Sequence, residues 1–206
     1  MRVVLCGSEG LNAWIIRHGL HAMFEDITSM NVPPLTQEDG MGLAEELLYG
    51  CERYPSREVV QEVIRVLGEP VPYFVHSLID GVRAAHPPGS FSDPKDIDQI
   101  YQARLLGAHG NHVFRSYQVR SQPYSALWRR AASKILQEIA SEPAGGRDEH
   151  LRERAGVPDL GSFDDLMNCL EEDYDLVRED GRSRFRSKVL RDRWALRETW
   201  LVGTDG

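Results

Sequence analysis

Residues 170–194 read LEEDYDLVREDGRSRFRSKVLRDRW, and two short runs inside them decide the fold. Tyr174–Arg178 and Arg182–Arg186 are strand-like, and Glu179-Asp180-Gly181 joins them. Asp-Gly between two such runs predicts a hairpin. A helix follows from about Ser187, with Val189, Leu190, Trp194, Leu196 and Trp200 at apolar positions. Upstream, the pattern predicts a helix over about 162–173 capped by Ser162, and another over 147–155 ended by Gly156. Before these a long helix follows Pro123, with Leu127, Ala131, Ile135, Leu136 and Ile139 spaced for a core face.

A long helix, two shorter helices and a hairpin make the order of a winged helix. Working back towards the N-terminus, the remaining signals are helical. Pro94, after the cap Asp93, opens a helix through about Leu106, and a shorter one lies near 110–118. Residues 85–94, AHPPGSFSDP, are rich in Pro, Gly and Ser and mark a boundary. Before them come three helices. One is capped by Thr36 and carries Leu43, Leu47 and Leu48. The next is capped by Ser56, carries Val59, Val60, Val63, Ile64 and Leu67, and stops at Gly68. The third opens at Pro72 and runs to about Ala85. The expected class is therefore mainly α, with a helical part over 1–86 and a winged-helix part over 92–203.

The opening residues do not fit an all-helical part. Val3, Val4 and Leu5 form an apolar run ending in Gly7-Ser8, which suits a strand covered on both faces. A helix is expected over 9–21 and an extended segment over 27–32. An isolated strand is not stable in water, so this orphan needs neighbours. They lie in an α/β domain absent from this chain, in another chain, or in residues 27–32.

The motifs, taken in order, resemble the C-terminal part of a P-loop ATPase of the AAA/STAND type, close to the archaeal-type group. VVLCGSEGL, residues 3–11, is similar to the strand that carries the sensor-1 polar residue, at Ser8. VPPLTQED, residues 32–39, matches the turn into the helical lid. LGEPVPYFVHSL, residues 67–78, matches the lid's G-x-P motif and the Pro-Tyr after it, with Gly68, Pro70, Pro72 and Tyr73. Residues 170–194 match the family's winged-helix ending. The resemblance covers nearly the whole chain. It implies that Ser8 faces a γ-phosphate or the attacking water, and that Gly68, Pro70 and Pro72 shape the rim of an adenine pocket. It implies ATP as a ligand only together with a core domain that this chain lacks. No Gly-Lys-Ser/Thr occurs in the sequence, so no phosphate-cradling loop is present and the chain alone is not expected to hydrolyse ATP.

Each of these residues also has a plainer reading. Ser8 serves as a turn or N-cap residue, and Gly68, Pro70 and Pro72 as a helix stop and restart. His18 and His21, like His109 and His112, sit at helical spacing, but two ligands do not make a zinc site. No catalytic triad is legible.

Charge separates the two roles open to the winged-helix part. Its second helix, SFDDLMNCLEED, carries Asp164, Asp165, Glu171, Glu172 and Asp173 with no Lys or Arg. A groove-entering helix of that charge is repelled by DNA. Residues 178–193 hold seven basic residues against three acidic ones. Arg182, Arg184, Arg186 and Lys188 are the candidate contacts, with Arg184 and Arg186 on one outward face. That stripe suits a protein partner, or the absent ATPase domain, better than DNA. A DNA-binding or transcription-related winged-helix protein is the alternative.

The totals agree with a globular chain. It has 206 residues, 41% of them apolar, and a net charge of −8. Phosphate-driven binding is disfavoured by an acidic total. No apolar run approaches the roughly 18–20 residues of a membrane helix. Cys6, Cys51 and Cys169 are too scattered for a disulfide framework, which suggests the cytoplasm.

Overall fold

The computed structural model describes residues 33–50, 56–86, 93–111, 114–122, 124–157, 159–174 and 176–196. The opening strand, Ser8, the helix over 9–21, the segment 27–32, His18, His21, His112 and Trp200 lie outside the described residues, as do 87–92 of the Pro/Gly/Ser stretch. Among the described residues the chain is mainly α-helical with one small antiparallel sheet, and it divides into two units.

The described residues of the helical unit lie within 33–119 and 186–196. Helix α1 (Gln37–Tyr49) begins at Thr36, whose hydroxyl oxygen accepts from the Asp39 amide at 3.1 Å. Its own O–H donates to Asp39 Oδ2 at 2.7 Å, so cap and first turn hold each other. Helix α2 (Arg57–Leu67) is capped by Ser56 and buries Val59, Val60, Val63, Ile64 and Leu67, the face read from spacing. On α1 the expected Leu43 and Leu47 are half-buried; Gly40, Ala44 and Leu48 form its inner face.

Helix α3 (Pro72–Ala85) and helix α4 (Pro94–Tyr101) pack closely because Gly81 carries no side chain. A Cβ there would lie 2.7 Å from both Ile100 and Arg104. The helices flanking 86–92 therefore belong to one unit, and the expected division at that point falls inside it. Pro, Gly and Ser mark the loop; the apolar residues of α4, Ile97, Ile100 and Tyr101, still complete the core of α2 and α3.

Beyond Tyr101 the helix widens into a π turn over Gln102–Leu106, followed by a 3₁₀ turn over Ala108–Asn111. Gly110 makes this tight reversal feasible, since a Cβ there would lie 2.0 Å from the Leu105 carbonyl oxygen. Helix α5 (Arg115–Arg120) leads out of the unit.

The sheet unit comprises 120–185. It contains helix α6 (Ala126–Ser141), strand β1 (Gly146–Arg147), helix α7 (Asp148–Ala155), helix α8 (Leu160–Tyr174) and strands β2 (Leu176–Glu179) and β3 (Arg182–Phe185). The sheet order is β1-β3-β2, antiparallel throughout. Asp180 and Gly181 have φ of 53° and 67°, the two positive values that a tight hairpin turn demands. Ala131, Ile135, Leu136 and Ile139 of α6 form the core with Leu151, Phe163, Leu166, Met167, Leu170, Tyr174 and Phe185.

Four local expectations change. Leu127, placed on the core face by spacing, is 59% exposed in the first turn of α6. Helix α8 is capped by Asp159, which accepts from the Ser162 amide at 2.7 Å, so Ser162 lies inside the first turn. Tyr174 ends α8 rather than opening a strand, because its ring is fully buried. Arg147 belongs to β1 rather than to the helix after it.

Helix α9 (Lys188–Ala195), capped by Ser187, does not stay with the hairpin it follows. It packs on the π turn of the helical unit and buries Val189, Leu190, Arg193 and Trp194 there. Leu196, expected on its apolar face, is 60% exposed.

Candidate functional site

Two places gather the residues singled out by sequence. The first is the turn Gly68-Glu69-Pro70 of the helical unit. Gly68 ends α2 with φ 76°. Its carbonyl accepts from Gln37 Nε2 at 2.9 Å, and the Pro70 carbonyl accepts from the Leu35 amide at 3.3 Å. Pro70 is buried against α1, where a Cβ on Gly40 would come within 2.4 Å of it. Pro72 is exposed at the start of α3, and Tyr73 beside it is also exposed. The three expected rim residues are thus half-buried, buried and exposed in turn.

Lys188 lies against this turn. Its Cβ stands 2.8 Å from where a Gly68 side chain would begin, so only glycine fits. Lys188 Nζ donates to Asp192 Oδ2 and sits 4.8 Å from the centre of the Tyr101 ring. Tyr101 Oη donates to the same Asp192 oxygen at 2.9 Å, and Arg191 donates to the other at 2.8 Å. Burial opposes the charge of Asp192, but bonds from Lys188, Arg191 and Tyr101 outweigh it and hold the carboxyl below its ordinary range. Burial and the Asp192 charge push the Tyr101 hydroxyl up. At neutral pH the group is a closed ion pair under a protonated phenol. It has the chemistry of a brace, with Lys188 engaged inside the fold.

The second place is the sheet. Strand alternation puts Arg147, Arg182 and Arg184 on one face, with Val177 and Glu179. Arg147 pairs with Arg182 across β1 and β3. Arg182 Nη1 donates to the Gly145 carbonyl at 3.2 Å. Arg184 is 47% exposed and stands 3.6 Å from Glu179. Arg186 lies beyond β3, half-buried, and groups with the helical unit, so it leaves the stripe expected of it.

The opposite face of the sheet is tied to the helices by ions. Arg178 Nε donates to Asp148 Oδ2 at 2.6 Å and its Nη2 to Asp164 Oδ1 at 2.9 Å. Ser183 Oγ donates to Asp148 Oδ1 at 2.9 Å. Burial disfavours the Arg178 charge, and the two carboxylates more than restore it. Arg178 is therefore a structural tie and not part of the open basic face.

Helix α8 presents Asp165, Asn168 and Glu172 to solvent, with Asp164 and Glu171 half-buried. Burial pushes the Glu171 carboxyl up. Asp173 turns inward and accepts from the Tyr124 hydroxyl at 2.5 Å, while Arg120 donates to its backbone carbonyl. The outer surface of α8 stays acidic without it.

Arg147 and Asp148 are the residues that sequence reasoning missed. Gly145-Gly146 before them is the available signal, since two glycines interrupt a helix there. Among the described residues, no group of three or more His, Cys, Asp or Glu is placed to hold a metal ion, and no helix is long and apolar enough to cross a membrane. No protein-family model, no curated protein and no solved structure matches the chain.

Proposed function

We propose that this chain is the lid and winged-helix portion of an AAA/STAND-type ATP-binding protein, with a regulatory or interaction role and no ATP hydrolysis of its own. The observation that carries this reading is the order of elements in residues 120–185. Helix, short strand, two helices and hairpin, with sheet order β1-β3-β2, is the order expected of a winged helix. The helix stop and restart at Gly68–Pro72 supports the same reading, since the resemblance assigns a lid motif to those residues. The contact role is favoured by the charge of α8, which is acidic on its outer surface and carries no Lys or Arg. In this reading ATP is held mainly by a P-loop core supplied from outside residues 33–196, and Gly68, Pro70 and Pro72 contribute shape. Ser8, as the sensor, belongs to the same proposal, and so does a cytoplasmic setting.

The test is ATP turnover by a P-loop core of the AAA/STAND type, measured with and without the chain. The expected result is no turnover by the chain alone and a several-fold change when both are present. Equal rates with and without it, or turnover by the chain alone, contradict the reading. The DNA-binding alternative is favoured by one observation, the three-arginine face, and is opposed by α8.

A further inference from the structure

The outer face of the sheet is a built basic surface, and its composition differs from the stripe read in sequence. Arg147 joins it through the β1–β3 pairing, while Arg186 and Lys188 leave it. The Cα atoms of paired Arg147 and Arg182 are about 5 Å apart, and side chains two positions apart on β3, at Arg182 and Arg184, about 7 Å. Gly145 sets the surface in place. With φ 79° it passes so close to β3 that a Cβ would lie 2.5 Å from the Ser183 carbonyl and 2.9 Å from Arg184. The carbonyl of Gly145 then orients the Arg182 fork. Among the described residues Arg147 has no acidic partner. The one carboxylate on the face, Glu179, stands opposite Arg182 in register, and its pair with Arg184 is long and solvent-exposed, which makes it weak and leaves the face net positive.

We propose that this face docks an acidic, extended segment of a partner protein, an inference that rests on the protein-contact reading above. Three arginines on one sheet face match carboxylates, which a guanidinium binds through two parallel N–H bonds. Alternate side chains of an extended chain repeat at about 7 Å, the spacing of Arg182 and Arg184. A nucleic-acid duplex is the poorer occupant. Its affinity grows with the number of phosphates neutralised, and three is few. It also carries its charge past the face towards a protein of net −8, whereas a short acidic segment ends where the arginines do.

The test is fluorescence anisotropy of the whole chain with a labelled peptide of alternating Glu and Ser, and separately with a labelled mixed-sequence duplex, at low salt. The expected result is peptide binding that weakens as salt rises and falls about tenfold or more in R147E/R182E/R184E. A peptide of alternating Lys and Ser is expected not to bind. Arg147 and Arg184 are exposed and Arg182 is half-buried against the Gly145 carbonyl, so R147Q/R182Q/R184Q repeats the test should the reversal disturb folding. Peptide binding unchanged in both variants overturns the assignment to this face. Binding of neither probe overturns the proposal and leaves the lid and winged-helix reading standing. Duplex binding without peptide binding overturns the proposal and favours the DNA-binding alternative.

Discussion

Replacing Arg193 by methionine is expected to destabilise the helical unit by about 3 kcal/mol. Arg193 is 1% exposed on α9, and its guanidinium donates to the carbonyls of Leu106 and Gly107 and to Asn111 Oδ1, 5.3 Å from the centre of the Phe114 ring. The Gly107 carbonyl also accepts from the Gly110 amide at 3.0 Å and Asn111 is exposed, so the buried Leu106 carbonyl is the acceptor that depends most on Arg193. Methionine fills much of the same volume, so the cost, about 3 kcal/mol, comes from the lost charge-assisted bonds and the Leu106 carbonyl left dry. Arg193→Lys keeps the charge but offers a single point donor in place of a fork, and is expected to recover less than half of the loss. Urea unfolding together with hydrogen exchange of the α9 amides checks this. Wild-type stability in R193M, with α9 still protected, contradicts the assignment of α9 to the helical unit.

Asp148→Ala is expected to cost the sheet unit about 2–3 kcal/mol. Asp148 and Arg178 have side chains 16% and 28% exposed, sheltered enough that solvent screening does not erase their pairing. Removing the carboxylate leaves Arg178 with Asp164 alone and frees the Ser183 hydroxyl from its acceptor. Asp148→Asn keeps an acceptor for Ser183 and is expected to lose less. In a double-mutant cycle with Arg178→Ala, read by hydrogen exchange at β3, the coupling is expected to be about 1–2 kcal/mol. Additive losses show that the tie between helices and sheet is not ionic.

Local chemistry made part of this legible in advance. The hairpin is announced by Asp180-Gly181, because few other pairs tolerate two positive φ values. The caps at Thr36, Ser56 and Asp93 are announced by side chains able to accept an amide proton. The spacing of α2 states its buried face outright. What spacing does not state is the partner. The apolar positions of α9 show that Val189, Leu190 and Trp194 are buried, but nothing in them selects the π turn over the adjacent hairpin. Loop composition misleads in the same way at 85–94, since Pro and Gly mark a bend without saying what packs across it. The basic face was half visible. Arg182 and Arg184 follow from alternation on β3. Arg147 enters only by strand pairing, and a two-residue strand has too few positions to alternate.

The central claim is that the sheet unit meets proteins and not DNA, since α8 turns an acidic surface to solvent. A low-salt mobility-shift titration of the whole chain against mixed-sequence duplex tests it most directly. The account predicts no shifted complex at micromolar protein. A micromolar complex that dissolves as salt rises, and is lost in R147E/R182E/R184E, contradicts it and makes the sheet face a nucleic-acid contact.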